Sequence, residues 1–272
     1  MAKIAVAQMD PDVASLDVNL EKAQALTDAA AEQGAELVLL PEVALRGQDA
    51  EGNSMAHQIP GPATDALAEM ARGANAWVIM GLAEANPIGK PFNSAVVLDP
   101  EGALVDVYRK VFLYLGEADG YTAGDEACLL DLGFCQAGLT ICYDYIFPEY
   151  IRALVVAGAR LLLHPTAWQD NDVCRKWRYP AREAYRAQCL VRALENNVFV
   201  ASANRARSLD DNGNLYMVGR SSIIAPWGEV LAEVDEEEGV AVADLDFSLI
   251  EQWSTAAAPY LKDYLEKEIP EV

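Results

Sequence analysis

The sequence predicts a single α/β domain whose strands pair both in parallel and as hairpins. Three observations carry this expectation. Short all-apolar runs alternate with Ala-rich amphipathic segments of helical length along nearly the whole chain. Tight-turn sequences, Asp99-Pro100-Glu101-Gly102 and Pro226-Trp227-Gly228-Glu229, follow strand-like runs. No Ser/Gly-rich linker divides the 272 residues, and 52% of them are apolar, enough for one sizeable core.

The elements follow in order. Lys3 to Ala7 reads as a strand and Val18 to Gln33 as a helix, with Asp17 as N-cap and Gly34 as its stop. Leu37-Val38-Leu39-Leu40 has the uniform apolarity of a strand buried on both faces. A helix over Pro62 to Arg72 precedes a strand over Trp77 to Gly81, and Ser94 to Leu98 pairs with Leu104 to Tyr108 across the first turn. Further on come a strand at Leu139 to Cys142, a helix at Pro148 to Ala157 and a strand at Leu161 to His164. A long helix runs from Ala181 to Glu195, with Pro180 suited to its start. Val198 to Ala203, Ser221 to Ala225 and Val240 to Asp244 complete the strands, and the tail from about Gln252 reads as irregular.

Charge and composition exclude several function classes. A net charge of -22 disfavours nucleic acid and anionic membrane surfaces, both of which call for Lys and Arg. The greasiest later stretch, Leu154 to Leu163, is interrupted by Arg160 and too short for a bilayer. The start lacks the features of a secretion signal, so a cytoplasmic protein is expected. Five cysteines at these spacings match neither a disulfide framework nor a usual metal site. Two histidines, His57 and His164, leave little room for His-based chemistry.

Three residues stand where chemistry could be done. Glu42 follows the buried run Leu37 to Pro41, at a strand's carboxyl end, where open α/β sheets place working groups. An exposed loop acid is the alternative. Lys110 lies between Val107-Tyr108 and Val111-Phe112-Leu113, apolar surroundings in which an ammonium needs a partner. A surface lysine reads equally well there. Cys142 ends a strand just ahead of helical sequence, where backbone N–H dipoles favour a thiolate. Read locally, it is equally a small buried core thiol.

Taken in order, Leu39-Leu40-Pro41-Glu42, Tyr108-Arg109-Lys110-Val111-Phe112-Leu113 and Ile141-Cys142-Tyr143-Asp144-Tyr145-Ile146-Phe147-Pro148-Glu149 resemble the nitrilase, or carbon–nitrogen hydrolase, superfamily. Ala5-Val6-Ala7-Gln8, Asn93-Ser94-Ala95, His164-Pro165-Thr166-Ala167-Trp168, Arg192 to Asn197 and Gly219-Arg220-Ser221-Ser222 extend the likeness over nearly the whole chain. The resemblance implies a four-layer α-β-β-α sandwich over residues 1–251. It also implies a tail, 252–272, at the interface of a homodimer or larger assembly. No metal and no organic cofactor is implied. It places Glu42, Lys110 and Cys142 in a catalytic triad: general base, oxyanion stabiliser together with the Tyr143 N–H, and nucleophile. Glu117 matches the position of a second glutamate that orients substrate or assists proton transfer.

Local sequence separates the branches of that family. Nitrilases usually follow the cysteine with Trp-Glu; Tyr143-Asp144 looks like the amidases. N-carbamoyl amino acid amidohydrolases and the deaminated-glutathione amidase group often carry arginine three or four residues after the cysteine, to pair with a substrate carboxylate. Tyr145 and Ile146 occupy those positions, and Phe112 replaces a frequent histidine. These departures favour hydrolysis of a small neutral aliphatic amide to acid and ammonia, with Tyr143, Tyr145, Thr166 and Trp168 around it. An N-carbamoyl substrate, with Arg175 or Arg178 supplying the charge, is the second reading. A nitrilase is the third, and a non-catalytic binding relative the alternative from another class.

Overall fold

Ile4 and Val6 of the first strand face one way and Ala5 and Ala7 the other, yet all four are fully buried. A strand buried on both faces needs a layer on each side, and the computed structural model, described here for residues 1–47, 55–209 and 212–267, supplies both. The first half contains β1 (Ala2–Gln8), α1 (Leu16–Glu32), β2 (Leu37–Leu39), α2 (Pro62–Ala74), β3 (Trp77–Glu84), β4 (Phe92–Leu98) and β5 (Leu104–Arg109). There follow β6 (Cys128–Asp131), β7 (Gln136–Leu139), α3 (Pro148–Val156), β8 (Leu161–Pro165), α4 (Asp172–Trp177), α5 (Ala181–Asn196) and β9 (Phe199–Ala203). The chain continues through β10 (Ser208–Leu209), β11 (Leu215–Met217), β12 (Ser222–Ile224), β13 (Val230–Glu233), β14 (Gly239–Leu245), α6 (Ser248–Ala256) and α7 (Tyr260–Glu266).

Two sheets carry the architecture. The order β14-β1-β2-β3-β4-β5 is parallel at its centre, where β1, β2 and β3 adjoin, and antiparallel at its edges. The order β13-β12-β9-β8-β7-β6 repeats the plan, with β7, β8 and β9 parallel. Between the sheets, Ile4, Val6, Leu37, Leu39 and Ile79 pack against Leu139, Leu161, Leu163, Phe199 and Ile223. Ala5, Val38 and Met80 face the opposite way, onto Ala23 of α1 and Leu67 and Ala71 of α2. Leu162 and Val200 likewise meet Ile151 of α3 and Tyr185 and Cys189 of α5. The result is the α-β-β-α sandwich expected, in one domain. No described helix is long and apolar enough to cross a membrane.

Several boundaries differ from expectation, for local reasons. Ser15, not Asp17, caps α1, because its hydroxyl accepts the Val18 N–H at 3.3 Å; Asp17 falls in the first turn. The predicted strand Leu139 to Cys142 ends at Leu139, and Cys142 opens a 3-10 turn, Cys142–Ile146. The tail is helical up to Glu266 rather than irregular. Phe247 and Ile250 pack on the inter-sheet core, and Leu261 of α7 packs with Tyr145 and Ile151. Residues 268–272 of that tail lie outside the described residues. β6, α4, β10, β11 and β13 are between two and six residues long, too short for periodicity to reveal.

Candidate active site

β2, β5 and β7 all point their carboxyl ends at the same end of the sandwich, and each is followed by one candidate residue. Glu42 sits three residues past β2 in a loop pressed onto β3. A Cβ on Gly81 would lie 2.5 Å from the Val43 nitrogen and 2.6 Å from the Glu42 Cα, so only glycine lets that loop pass. Pro41 C=O accepts from the Gly81 N–H at 3.1 Å, and the Gly81 C=O accepts from Ala44 at 2.9 Å. Arg205 holds the same loop from the other sheet, donating to the Glu42 C=O through Nε (3.2 Å) and Nη2 (3.1 Å) and to the Val43 C=O (2.8 Å).

Lys110 follows directly after β5, fully buried, with its ammonium between two carboxylates. Nζ donates to Glu42 Oε1 at 2.8 Å and to both Glu117 oxygens, at 3.0 and 2.8 Å. Glu42 Oε1 also accepts from Asn93 Nδ2 at 2.7 Å, and Oε2 from the Ala167 N–H at 2.8 Å. Glu117 lies in a 3-10 turn, Leu115–Asp119, where Oε2 caps the Tyr114 N–H at 2.6 Å. Burial penalises the Lys110 ammonium, but Glu42 and Glu117 hold it protonated well above the usual lysine range. The two carboxylates are pushed apart. Burial raises Glu42, but Lys110, Asn93 and Arg205 outweigh it and hold the carboxyl below its ordinary value. Burial and the Glu42 charge raise Glu117. Glu42 thus has the lower proton affinity of the pair and Glu117 the higher.

Cys142 takes φ 47°, a left-handed conformation that costs a non-glycine residue about 1–3 kcal/mol. The surroundings over-determine it. Asp144 accepts the N–H groups of Ile141 (2.9 Å) and Phe112 (2.8 Å) and the Tyr108 hydroxyl (2.6 Å), tying the turn to the segment after Lys110. Burial pushes Asp144 up to about 6, against those three donors, so it is ionised at pH 7. Behind Cys142, His164 Nε2 lies 3.2 Å from the Cys142 C=O and Nδ1 lies 2.9 Å from Ser202 Oγ, itself 2.6 Å from the Tyr185 hydroxyl. A carbonyl only accepts, so Nε2 carries the proton; Ser202 then donates to Nδ1, and Tyr185 to Ser202. Burial drives His164 down to about 3, which keeps this one-way relay neutral. His164→Leu should leave the carbonyl orphaned and lower kcat about 5- to 150-fold, the equivalent of about 1–3 kcal/mol. His164→Gln, which retains a donor, should recover most of it. A leucine variant with wild-type kcat would deny the relay any role.

The thiol itself differs from the thiolate that its position alone predicts. Burial and the Glu42 charge push it up to about 12, despite the pull of Lys110 and of the adjoining Thr166 side chain. At rest it is a neutral thiol, and attack requires a base.

Cys142 opens onto a cavity of about 500 Å³. Glu42, Glu117, Tyr143 and Trp168 line it, whereas Lys110 and Thr166 are buried and do not. Tyr145 does not reach it: its ring is fully buried, stacked on His164 at 4.1 Å, and Ile146 lines the cavity instead. A 3-10 turn rotates successive side chains by about 120°, so Tyr143 and Ile146, three apart, share a face from which Tyr145 is turned away. Arg175 and Arg178 do not line the cavity either; the Arg175 guanidinium is held by the Asp170 C=O and the Asp172 carboxylate, both at 2.6 Å. Sequence reasoning missed Arg46, Tyr121, Arg205 and Tyr216, which do line it, and overlooked Asn93 as a ligand of Glu42. Asn93 lies within Asn93-Ser94-Ala95 and could have been found; Arg46, Tyr121 and Arg205 come from loops and Tyr216 from the three-residue β11, none with a periodic signal. Among the described residues no cluster of His, Cys, Asp and Glu could hold a metal ion.

Comparison with known proteins places the chain in a family. A family model described as carbon-nitrogen hydrolase matches residues 3–255. A nitrilase of Pyrococcus abyssi is 35% identical over 258 residues, covering 92% of each chain. The human omega-amidase NIT2 is 32% identical over 238 residues, covering 84% of this chain and 83% of its own. A mutant of the amidase from Nesterenkonia sp. AN1, solved in complex with butyramide, superposes with a TM-score of 0.75 at 27% identity, covering 96% of this chain and 93% of that one. Another mutant of that amidase carries the acetamide moiety of fluoroacetamide added covalently at its active site cysteine, with a TM-score of 0.76 at 26% identity and the same coverage. The chain belongs to the carbon–nitrogen hydrolase family, as a hydrolase of non-peptide carbon–nitrogen bonds.

Proposed function

We propose that this hydrolase is an amidase that converts a small linear primary amide to its carboxylic acid and ammonia, with Cys142 as nucleophile. One observation carries the reading: a neutral thiol on a strained turn adjoins a lysine shared by two carboxylates of unlike proton affinity.

A thiol near pKa 12 yields its proton only as the new bond forms. Glu42 takes that proton while sulfur attacks the amide carbon, so negative charge leaves Glu42 and appears on the carbonyl oxygen. Lys110 adjoins Glu42 at 2.8 Å, and the displaced charge stays within the field of one cation. This limits the electrostatic cost of the transfer. As an early residue of its turn, Tyr143 has an N–H with no acceptor inside the turn, free to donate to the oxyanion. The proton passes to the amine as the C–N bond breaks, and ammonia leaves. Water, deprotonated by the same carboxylates, then cleaves the thioester. Nitrile hydrolysis uses the same groups, but Tyr143-Asp144 after the cysteine and the similarity to amidases favour the amide.

Ammonia release should be followed with butyramide, butyronitrile and N-carbamoyl-β-alanine as substrates. Butyramide should be turned over fastest of the three. Preferential consumption of the nitrile or the carbamoyl compound would replace the amidase reading, and turnover of none would favour a binding protein.

A further inference from the structure

Thr166 is fully buried, yet its hydroxyl has no hydrogen-bond partner among the described residues. Leaving a buried hydroxyl unpaired is costly, so its place in the fold calls for a reason. The neighbours supply one. β7 and β8 run in parallel with Leu139 opposite Leu163, and the Thr140 N–H continues that ladder to the Leu163 C=O at 3.0 Å. Two residues further on, the same register sets Thr166 level with Cys142. The residues around Thr166 keep matching company. His164 Nε2 lies 3.2 Å from the Cys142 C=O, and the Ala167 N–H donates to Glu42 Oε2 at 2.8 Å. The Thr166 N–H is itself held by the Ala203 C=O at 2.8 Å, which fixes the backbone there. Its side chain adjoins the Cys142 sulfur, where it favours the charged form against the effect of burial.

A neutral thiol is a weak acceptor, whereas a thiolate draws a hydroxyl strongly. The resting thiol is neutral, so the donor stays unpaired until sulfur carries charge. An interaction missing from the ground state and made at the charged stage speeds the step in which that charge appears. Charge appears fully on sulfur when the acid is released. Water adds to the thioester carbon as its proton passes to a carboxylate. The C–S bond then breaks with its electron pair on sulfur, and the thiolate takes the proton back.

We propose that Thr166 is a catalytic residue whose hydroxyl donates to the Cys142 sulfur as the thioester breaks, and that it does not bind substrate. The thioester stage rests on the amidase reading; the hydrogen bond to sulfur does not. The motif His164 to Trp168 suggested a place around the substrate for Thr166, but the residue is buried and absent from the cavity wall.

Thr166→Val removes the hydroxyl and keeps the shape, and Thr166→Ser keeps the hydroxyl. Because the valine variant sheds an unpaired polar group, its urea midpoint should equal or exceed that of the wild type. Iodoacetamide forms an S–C bond and releases iodide, and mass spectrometry of the Cys142 peptide follows the reaction. At pH 8 the valine variant should react about 3- to 12-fold more slowly. A hydrogen bond to a charged group changes the thiolate population about 10- to 150-fold, and the greater nucleophilicity of a more basic thiolate offsets about half of that on a logarithmic scale. With butyramide, kcat of the valine variant should fall about 10- to 150-fold and KM should fall with it, after a burst of about one ammonia per enzyme as thioester accumulates. The serine variant should recover most of the wild-type rates. A valine variant with wild-type alkylation and kcat, or one whose activity falls only along with its stability, would overturn the role of the hydroxyl and leave the amidase standing. Slowed alkylation in an enzyme that releases ammonia from no amide would support the hydrogen bond and overturn the thioester stage.

Discussion

Lys110→Ala should cost both activity and stability, and the stability loss should depend on pH. The side chain is fully buried between Glu42 and Glu117, so its removal leaves two carboxylates facing each other without a cation. Breaking a buried pair in this way typically costs about 3–5 kcal/mol. The lysine's own pKa is raised, so its contribution is fully present throughout the neutral range and is lost only above the ordinary lysine value. In the variant the carboxylates acquire raised pKa values. Protonation then relieves the repulsion, and the deficit should shrink as pH falls from 8 toward 5. Urea unfolding at those two pH values measures the effect. Turnover should fall by about 10²–10³ or more, the scale of losing an oxyanion-stabilising group. A variant as stable and nearly as active as wild type would refute both roles. The resemblance gives Lys110 a part in the chemistry; its burial between two carboxylates adds a structural one.

Cys142→Ala should abolish turnover down to the level left by binding and electrostatics alone, a loss of about 10⁴ or more. Glu42→Gln keeps the shape of the side chain and its contact with Asn93, but it cannot take the thiol proton. Because that thiol lies near 12, loss of the base should cost about 10²–10⁴. The double variant should be no worse than Cys142→Ala alone, since a base without a nucleophile contributes nothing. Single-turnover ammonia release separates these cases. Losses that multiplied would mean that Glu42 acts on a step independent of Cys142.

Much of the fold was legible because its signals are local. The apolar runs at Leu37–Leu39 and Leu161–Pro165, each bounded by turn residues, are fully buried strands as read. The helix at Ala181–Asn196 begins just after Pro180, where a proline costs no hydrogen bond. Local reasoning failed where a long-range contact overrode it. Nothing in Ile141-Cys142-Tyr143 announces a positive φ; Phe112 and Tyr108, through Asp144 of the same turn, and His164 hold it from other segments. The tail read as irregular because its helices are short, and packing of Phe247, Ile250 and Leu261 stabilises them.

The candidate site divides the same way. The resemblance of the ordered motifs to one family singled out Glu42, Lys110 and Cys142, which read locally stayed ambiguous, and that resemblance alone pointed to Glu117. Tertiary structure decided what charge each carries. A proton's free energy depends on burial and on neighbours that are 68 residues apart for Glu42 and Lys110, and no local pattern encodes that. It also decided the cavity's character, since Arg46 and Arg205 come from separate loops and meet only after the two sheets have packed.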